Sequence, residues 1–198
     1  YVAGVYDNVG GSSDFDAGAD IFWKPNGRFQ LTATLNPDFG QVESDDLVVN
    51  FGAVENFFSD KRPFFTENQG LFEVPFGAGN SRLLYTRRIG GPADDGEGVG
   101  DVAAAVKLNG SLGQVNYGFL AATENDDVGR DFYALRATRE SDVHDIGGML
   151  THVNRPFLDR QASVLSFDHR YTPNATWDVR TQFVGSNIDQ SGDTTRDR

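Results

Sequence analysis

The sequence predicts an all-β protein, an antiparallel meander carrying one irregular inserted segment, and three observations support that prediction. Apolar and polar residues alternate with period two in one segment after another, as half-buried strands require. Turn-forming residues punctuate those segments at short intervals. The composition, with 23 glycines, 16 phenylalanines and only 38% apolar residues, is poor material for a helical bundle. It suits strands that keep one polar face.

The first strands lie near the N-terminal end. ADIFWK reads as one strand, and RFQLTATLN as the next, with Phe29, Leu31, Ala33 and Leu35 on one face. Pro25, Asn26 and Gly27 lie between them and supply hairpin chemistry, because Asn-Gly tolerates positive φ at both central positions. Further on, DVAAAVKLN aligns Val102, Ala104, Val106 and Leu108, and Asn109-Gly110 is expected to turn the chain into QVNYGFLAAT. DFYALRATR and SVLSFDHRY continue the pattern, the latter with Leu165, Phe167 and Tyr171 opposite Asp168 and Arg170. A turn over 172–174 then leads into ATWDVRTQFVG, where Trp177, Val179 and Phe183 oppose Asp178, Arg180 and Gln182.

Charges recur in mid-strand at Lys107, Arg136, Asp168, Arg170, Asp178 and Arg180. A soluble sandwich accommodates them on its watered face, and a membrane barrel on its lumen. The connections differ in kind: those after Asn109 and Thr172 are tight, whereas 124–131 and 154–159 are longer and polar. Tight turns at one rim and longer loops at the other are the habit of outer-membrane barrels. Strand pattern alone leaves both architectures open. Between the two sets of strands lies the irregular segment, approximately 37–80, in which a short helical turn is expected around residues 54–60, ended near Pro63.

Several function classes are disfavoured. The formal net charge of −12 opposes binding to nucleic acid, which needs a basic surface. Without cysteine there is no disulfide, thiolate metal site or cysteine nucleophile. No run approaches the ~20 apolar residues of a membrane-spanning helix, although a spanning strand needs only about 9–11. His144, His152 and His169 lack metal-ligand spacing, and Ser163 and Ser166 lack the turn that presents a nucleophile. The acidic groups Asp14, Asp16 and Asp20, and Asp38, Glu43, Asp45 and Asp46, do not reproduce a calcium loop and read as solvated. Gly91 to Asp101 reads as a mobile acidic loop. No carboxylate pair stands out for hydrolysis, so neither an enzyme nor a cofactor is inferred.

NPDFGQVESDD, followed by VVNF, FFSDKRPFF-TE and LLYTRRIG, with DVAAAVKLNG-SLGQVNYGFLAATE downstream, resembles a bacterial family of outer-membrane proteins. Members place a family-9-type carbohydrate-binding module before a β-barrel domain of the DUF5916 type. The resemblance implies that this chain is the first part of such a barrel in the outer membrane of a Gram-negative bacterium. Lipid would be its partner, and glycan would be met through the module upstream. It implies a structural, pore or glycan-related transport role and transfers no catalytic residues.

In that setting, FFSDKRPFFTENQGLF becomes a packed insert, with Phe57, Phe58, Phe64 and Phe65 as anchors and Lys61, Arg62 and Glu67 as a polar clasp. Arg87 and Arg88 are expected to join these in an internal charge network, facing Glu43, Glu55 and Glu67. The alternative reading is a soluble carbohydrate-binding sandwich, in which Trp23, Tyr85 and Trp177 are the candidate aromatic contacts.

Overall fold

The computed structural model describes residues 2–6, 13–37, 57–74, 82–125 and 127–191, with backbone alone before residue 17. Strands β1 (Val2–Tyr6) and β2 (Ser13–Ala17) form an antiparallel hairpin. The other strands are β3 (Ala19–Asn26), β4 (Phe29–Leu35), β5 (Val102–Leu112), β6 (Val115–Glu124), β7 (Asp131–Glu140), β8 (His144–Arg155), β9 (Arg160–Asn174) and β10 (Trp177–Gln190). They make one eight-stranded sheet in which every strand pairs with its neighbour in sequence. The predicted all-β antiparallel meander is therefore present. The described strands form this sheet and the separate hairpin, and not the two facing sheets of a sandwich.

Seven of these strands fall where the period-two pattern predicts them, whereas β1, β2 and β8 lie outside the predicted segments; turn positions do not follow the predicted dipeptides. Asn109 and Gly110 stay inside β5, and the turn comes at Gly113 and Gln114, where Gly113 takes φ +61. The last hairpin turns at Ala175 and Thr176, with the Asn174 carboxamide oxygen accepting from the backbone N–H of both Thr176 (2.9 Å) and Trp177 (3.1 Å). Asn26 likewise accepts from the Arg28 N–H at 2.9 Å, and the turn residues are Gly27 and Arg28. Neither Asn26 nor Gly27 has positive φ. In both hairpins asparagine works through its side chain, as in an Asx turn.

β4 and β5, paired neighbours in the sheet, are joined through residues 36–101. Residues 57–60 are not helical, and residues 54–56 lie outside the described residues. Pro63 opens the short helix α1 (Pro63–Thr66) instead of ending one. It sits in the first turn, where its missing N–H costs no bond. Asn68 then adopts a left-handed conformation (φ 54), and a 3-10 turn follows at Gln69–Phe72. A second 3-10 turn, Thr86–Arg88, carries the two arginines Arg87 and Arg88.

The two faces of the sheet have opposite fates. On one, a row of directly opposed cross-strand partners runs Trp23, Leu31, Leu108, Phe119, Leu135, Leu150, Leu165 from β3 to β9. Leu165 and Phe183 on this face are 63% and 66% exposed. On the other face Gln30, Thr34, Lys107, Arg136, Thr151 and Ser166 are buried, together with Leu120, Ala134 and Met149. The insert covers them. Phe64, Phe65, Phe72 and Ile89 meet Ala105, Leu120, Ala122, Phe132 and Met149 in the hydrophobic core. Small wall residues make room: a Cβ on Gly118 would lie 2.6 Å from Leu71 and 2.8 Å from Phe72. Each buried phenylalanine contributes about 1.5–3 kcal/mol of transfer free energy. The exposed apolar residues of this covered face are on the outer strands, Phe22 on β3 and Val184 and Ile188 on β10.

Candidate functional site

The candidate site is the junction between the insert and the charged face of the sheet, together with the open face behind it. Lys107, 1% exposed in the middle of β5, donates through Nζ to the main-chain carbonyls of Phe64 and Glu67, the latter at 2.6 Å. It also lies 5.2 Å from the centre of the Phe64 ring. A short helix leaves its last carbonyls without partners, and the lysine of the facing strand satisfies two of them. Two strands away, Arg136 reaches across β8 to a bidentate pair with Asp168 on β9. Gly147 permits the crossing, because a Cβ there would sit 2.4 Å from the guanidinium.

Within the insert, Arg62 is held on every side. Its Nε and Nη2 donate to Asp60 at 2.9 and 2.7 Å, its Nη1 to the Ile89 carbonyl at 2.6 Å, and Nη2 also to the Thr86 carbonyl at 2.8 Å. The guanidinium stacks 4.1 Å above the Phe65 ring. Burial pushes the Asp60 carboxyl upward, but the hydrogen bonds and charge of Arg62 and the Thr86 hydroxyl outweigh it, and Asp60 ionises below the usual carboxylate range. This clasp ties 57–74 to 82–90.

A second clamp ties the insert to the strand ends. Glu124, at the end of β6, accepts from Arg130 Nε at 2.7 Å and Nη2 at 2.9 Å, and from the Gly90 N–H at 2.7 Å. Arg130 donates in turn to the carbonyls of Gly91 (3.2 Å) and Pro92 (3.0 Å). Asp94 closes the set, bound by Arg155 at 2.7 and 2.9 Å and by Arg130 at 3.4 Å. The Arg155 hydrogen bonds, opposed by burial and helped by the charges of Arg155 and Arg130, hold Asp94 below its ordinary value. The loop read as mobile is thus anchored, by Asp94 and by a Pro92–Val99 bridge.

The singled-out residues separate into different environments. Arg62 is buried, and Lys61 and Arg88 are exposed. Arg87 donates to the Ser59 carbonyl at 3.2 Å and lies 5.7 Å from the Phe58 ring. Glu67 receives the Thr32 hydroxyl at 3.4 Å on its carboxylate. Glu43 and Glu55 lie outside the described residues, as do Asp38, Asp45, Asp46 and the side chains of Asp14 and Asp16. Phe64 and Phe65 are core residues, whereas Phe57 and Phe58 are half-buried beside Tyr85, whose ring meets Phe57 edge-on at 4.9 Å. Trp23 (54% exposed) and Trp177 (63% exposed) lie on the open face, on β3 and β10, and Tyr85 is on the covered side. The three do not converge on one sugar platform.

Sequence reasoning did not single out Glu124, Arg130, Asp94 or Arg155. The available signal was local: Glu124 and Arg130 bracket one short loop, which brings opposite charges together at two adjoining strand ends.

The open face is graded from rim to rim. Trp23, Tyr117, His144, Tyr171 and Trp177 lie towards the short turns, with the Tyr171 ring stacked 4.8 Å from His144. Tyr133 and His152 lie towards the longer connections, their rings 6.0 Å apart. Leucine, valine, alanine and phenylalanine fill the middle. Among the described residues no group of three or more histidines and carboxylates is placed to hold a metal ion.

The family described as a domain of unknown function (DUF5916) matches residues 1–111. No curated protein and no solved structure matches the chain. The match covers the N-terminal strands, the whole insert and nearly all of β5, more than half of the 198 residues, and the chain belongs to the DUF5916 family.

Proposed function

We propose that this chain forms wall of an outer-membrane β-barrel, with the open face in lipid and the insert on the lumen side, in a structural, pore or glycan-related transport role. One observation carries the reading: the burial of the sheet is inverted. Lys107 and Arg136 are 1% and 3% exposed, whereas Trp23, Leu135, Leu150, Leu165, Phe167, Trp177 and Phe183 are each more than 40% exposed. At roughly half of the ~150–250 Å² that a large aromatic carries, these side chains alone offer several hundred Å². That matches or exceeds the largest apolar patch of an ordinary soluble monomer. In water this face would be a liability; in hydrocarbon it is the favourable side.

Three further features agree. Strands β5, β6 and β7 have 11, 10 and 10 residues, close to the length a tilted spanning strand needs. Aromatic residues mark both rims, as membrane interfaces favour. The rim is also staggered. Along the row through Leu31, Leu108, Leu135 and Leu165, the short turns come three residues away at Arg28, five at Gly113, six at Ser141 and ten at Ala175. A steady drift of this kind is what tilted barrel strands produce. The reading includes no catalytic step.

The two tryptophans of the chain, Trp23 and Trp177, report on it directly. In vesicles with brominated acyl chains their emission is expected to be strongly quenched relative to unbrominated lipid. Equal emission in the two lipids would remove the membrane assignment.

A further inference from the structure

The structure assigns a second property to the covered side: a binding cleft for a small oxyanion-bearing solute, with Arg160 and Arg155 as its charged contacts. A cleft of about 1180 Å³ opens between the insert and the strand ends on the rim of the longer connections. This is somewhat larger than the ~300–1,000 Å³ that small-molecule sites commonly occupy. The chain as a whole carries −12, yet cations gather here: Lys61, Arg87 and Arg88 from the insert, Arg130 from the loop before β7, and Arg155 and Arg160 from β8 and β9.

The counter-charges are unevenly shared. Arg130 is matched by Glu124, and Arg155 by Asp94. Arg155 and Arg160 are direct cross-strand partners on β8 and β9, an arrangement in which like charges repel. Asp94 answers only the first. The half-buried Arg160 side chain makes no hydrogen bond or ion pair with any described residue, although it lines the cleft. An oxyanion between the two guanidinium groups would relieve the repulsion. Arginine's planar fork is suited to bind phosphate or carboxylate in bidentate fashion. Rings of arginine and lysine also confer anion preference on pores, and Tyr85 and Phe58 on the same cleft offer apolar surface to the remainder of a solute. The inference rests on the wall reading only for placing the cleft on the lumen side.

The test is titration calorimetry on the full chain in zwitterionic detergent micelles at low salt, with tripolyphosphate in one arm and citrate in the other. Saturable binding is expected in at least one arm, and the stronger arm identifies phosphate or carboxylate as the preferred group. Added salt should weaken it, and Arg160→Ala should weaken it roughly tenfold or more, the loss expected for a charge-assisted contact. Arg160→Gln is titrated in parallel, so that a folding failure of the alanine variant does not end the test. Arg139→Ala, whose side chain bonds Gln114 at the opposite rim, should titrate like the unaltered protein. The proposal is overturned if neither anion binds saturably, or if both Arg160 variants bind as well as the unaltered chain. Because micelles are used throughout, loss of this proposal would leave the lipid-facing assignment standing, and the quenching experiment would decide that separately.

Discussion

Arg130→Leu is expected to lower stability by about 3–5 kcal/mol, the usual cost of removing one partner from a buried ion pair. Glu124 would keep only the backbone N–H groups of Gly90 and of residue 130 itself, and would hold a charge at 1% side-chain exposure with no cation beside it. The carbonyls of Gly91 and Pro92 would lose their donor as well. Urea unfolding in micelles, followed by tryptophan emission, measures the loss. Arg170→Leu is the matched control, since its pair with Asp178 is exposed and contributes little. Equal effects of the two substitutions would mean that the clamp does not hold the insert. The clasp and the clamp share an acid limit. Asp60 and Asp94 both ionise below their ordinary value of 3.8 in the fold, so the stability they lend is complete above that value. It is lost as pH falls through their lower folded values.

Leu135→Arg should cost about 2–4 kcal/mol in a lipid bilayer, the depth-dependent penalty for a cation at the middle of a barrel's outer face. Leu135 is the fifth residue of the ten-residue β7, is 49% exposed, and sits in the central apolar row. Were that face in water, the same change would lie within about ±0.5 kcal/mol and would improve solubility. The two environments therefore predict different magnitudes and opposite handling properties. Trp177→Arg, beside the turn at Ala175, should cost only about 0–1 kcal/mol, because the penalty fades near the interface. A Leu135→Arg variant that inserts into vesicles and unfolds like the parent would place the face outside lipid.

Seven strands were legible because their signal is local and repeats every second residue; β8 was not, because Gly147, Gly148 and its histidines dilute the alternation. Phe29 to Leu35, and Trp177 to Phe183, share faces as the pattern required. Turns were less legible because asparagine has two ways to make one. At Asn26 and Asn174 the side chain accepts from the following backbone, and at Asn109 the residue pairs inside a ladder. Pro63 was ambiguous for a similar reason, since proline both ends helices and begins them. The covered face was legible in its charges but not in their partners. Lys107 bonds main-chain carbonyls, which every residue has, and Asp94 meets Arg155 across 61 positions of sequence. Local pattern carries no trace of either. The inverted burial likewise needed the structure, because alternation shows that a strand has two faces and not which of them is covered.

The most direct test of the proposal that the open face of the sheet lies in lipid is a spin-label scan along β7. The chain has no cysteine, so single cysteines can be placed at each position from Phe132 to Ala137 and labelled one at a time. In vesicles, collision with molecular oxygen, which concentrates in hydrocarbon, should be high at Tyr133, Leu135 and Ala137 and low at Phe132, Ala134 and Arg136. Collision with a water-soluble nickel chelate should be low at all six. High chelate access at Tyr133, Leu135 and Ala137 would show those side chains in water and would contradict the account.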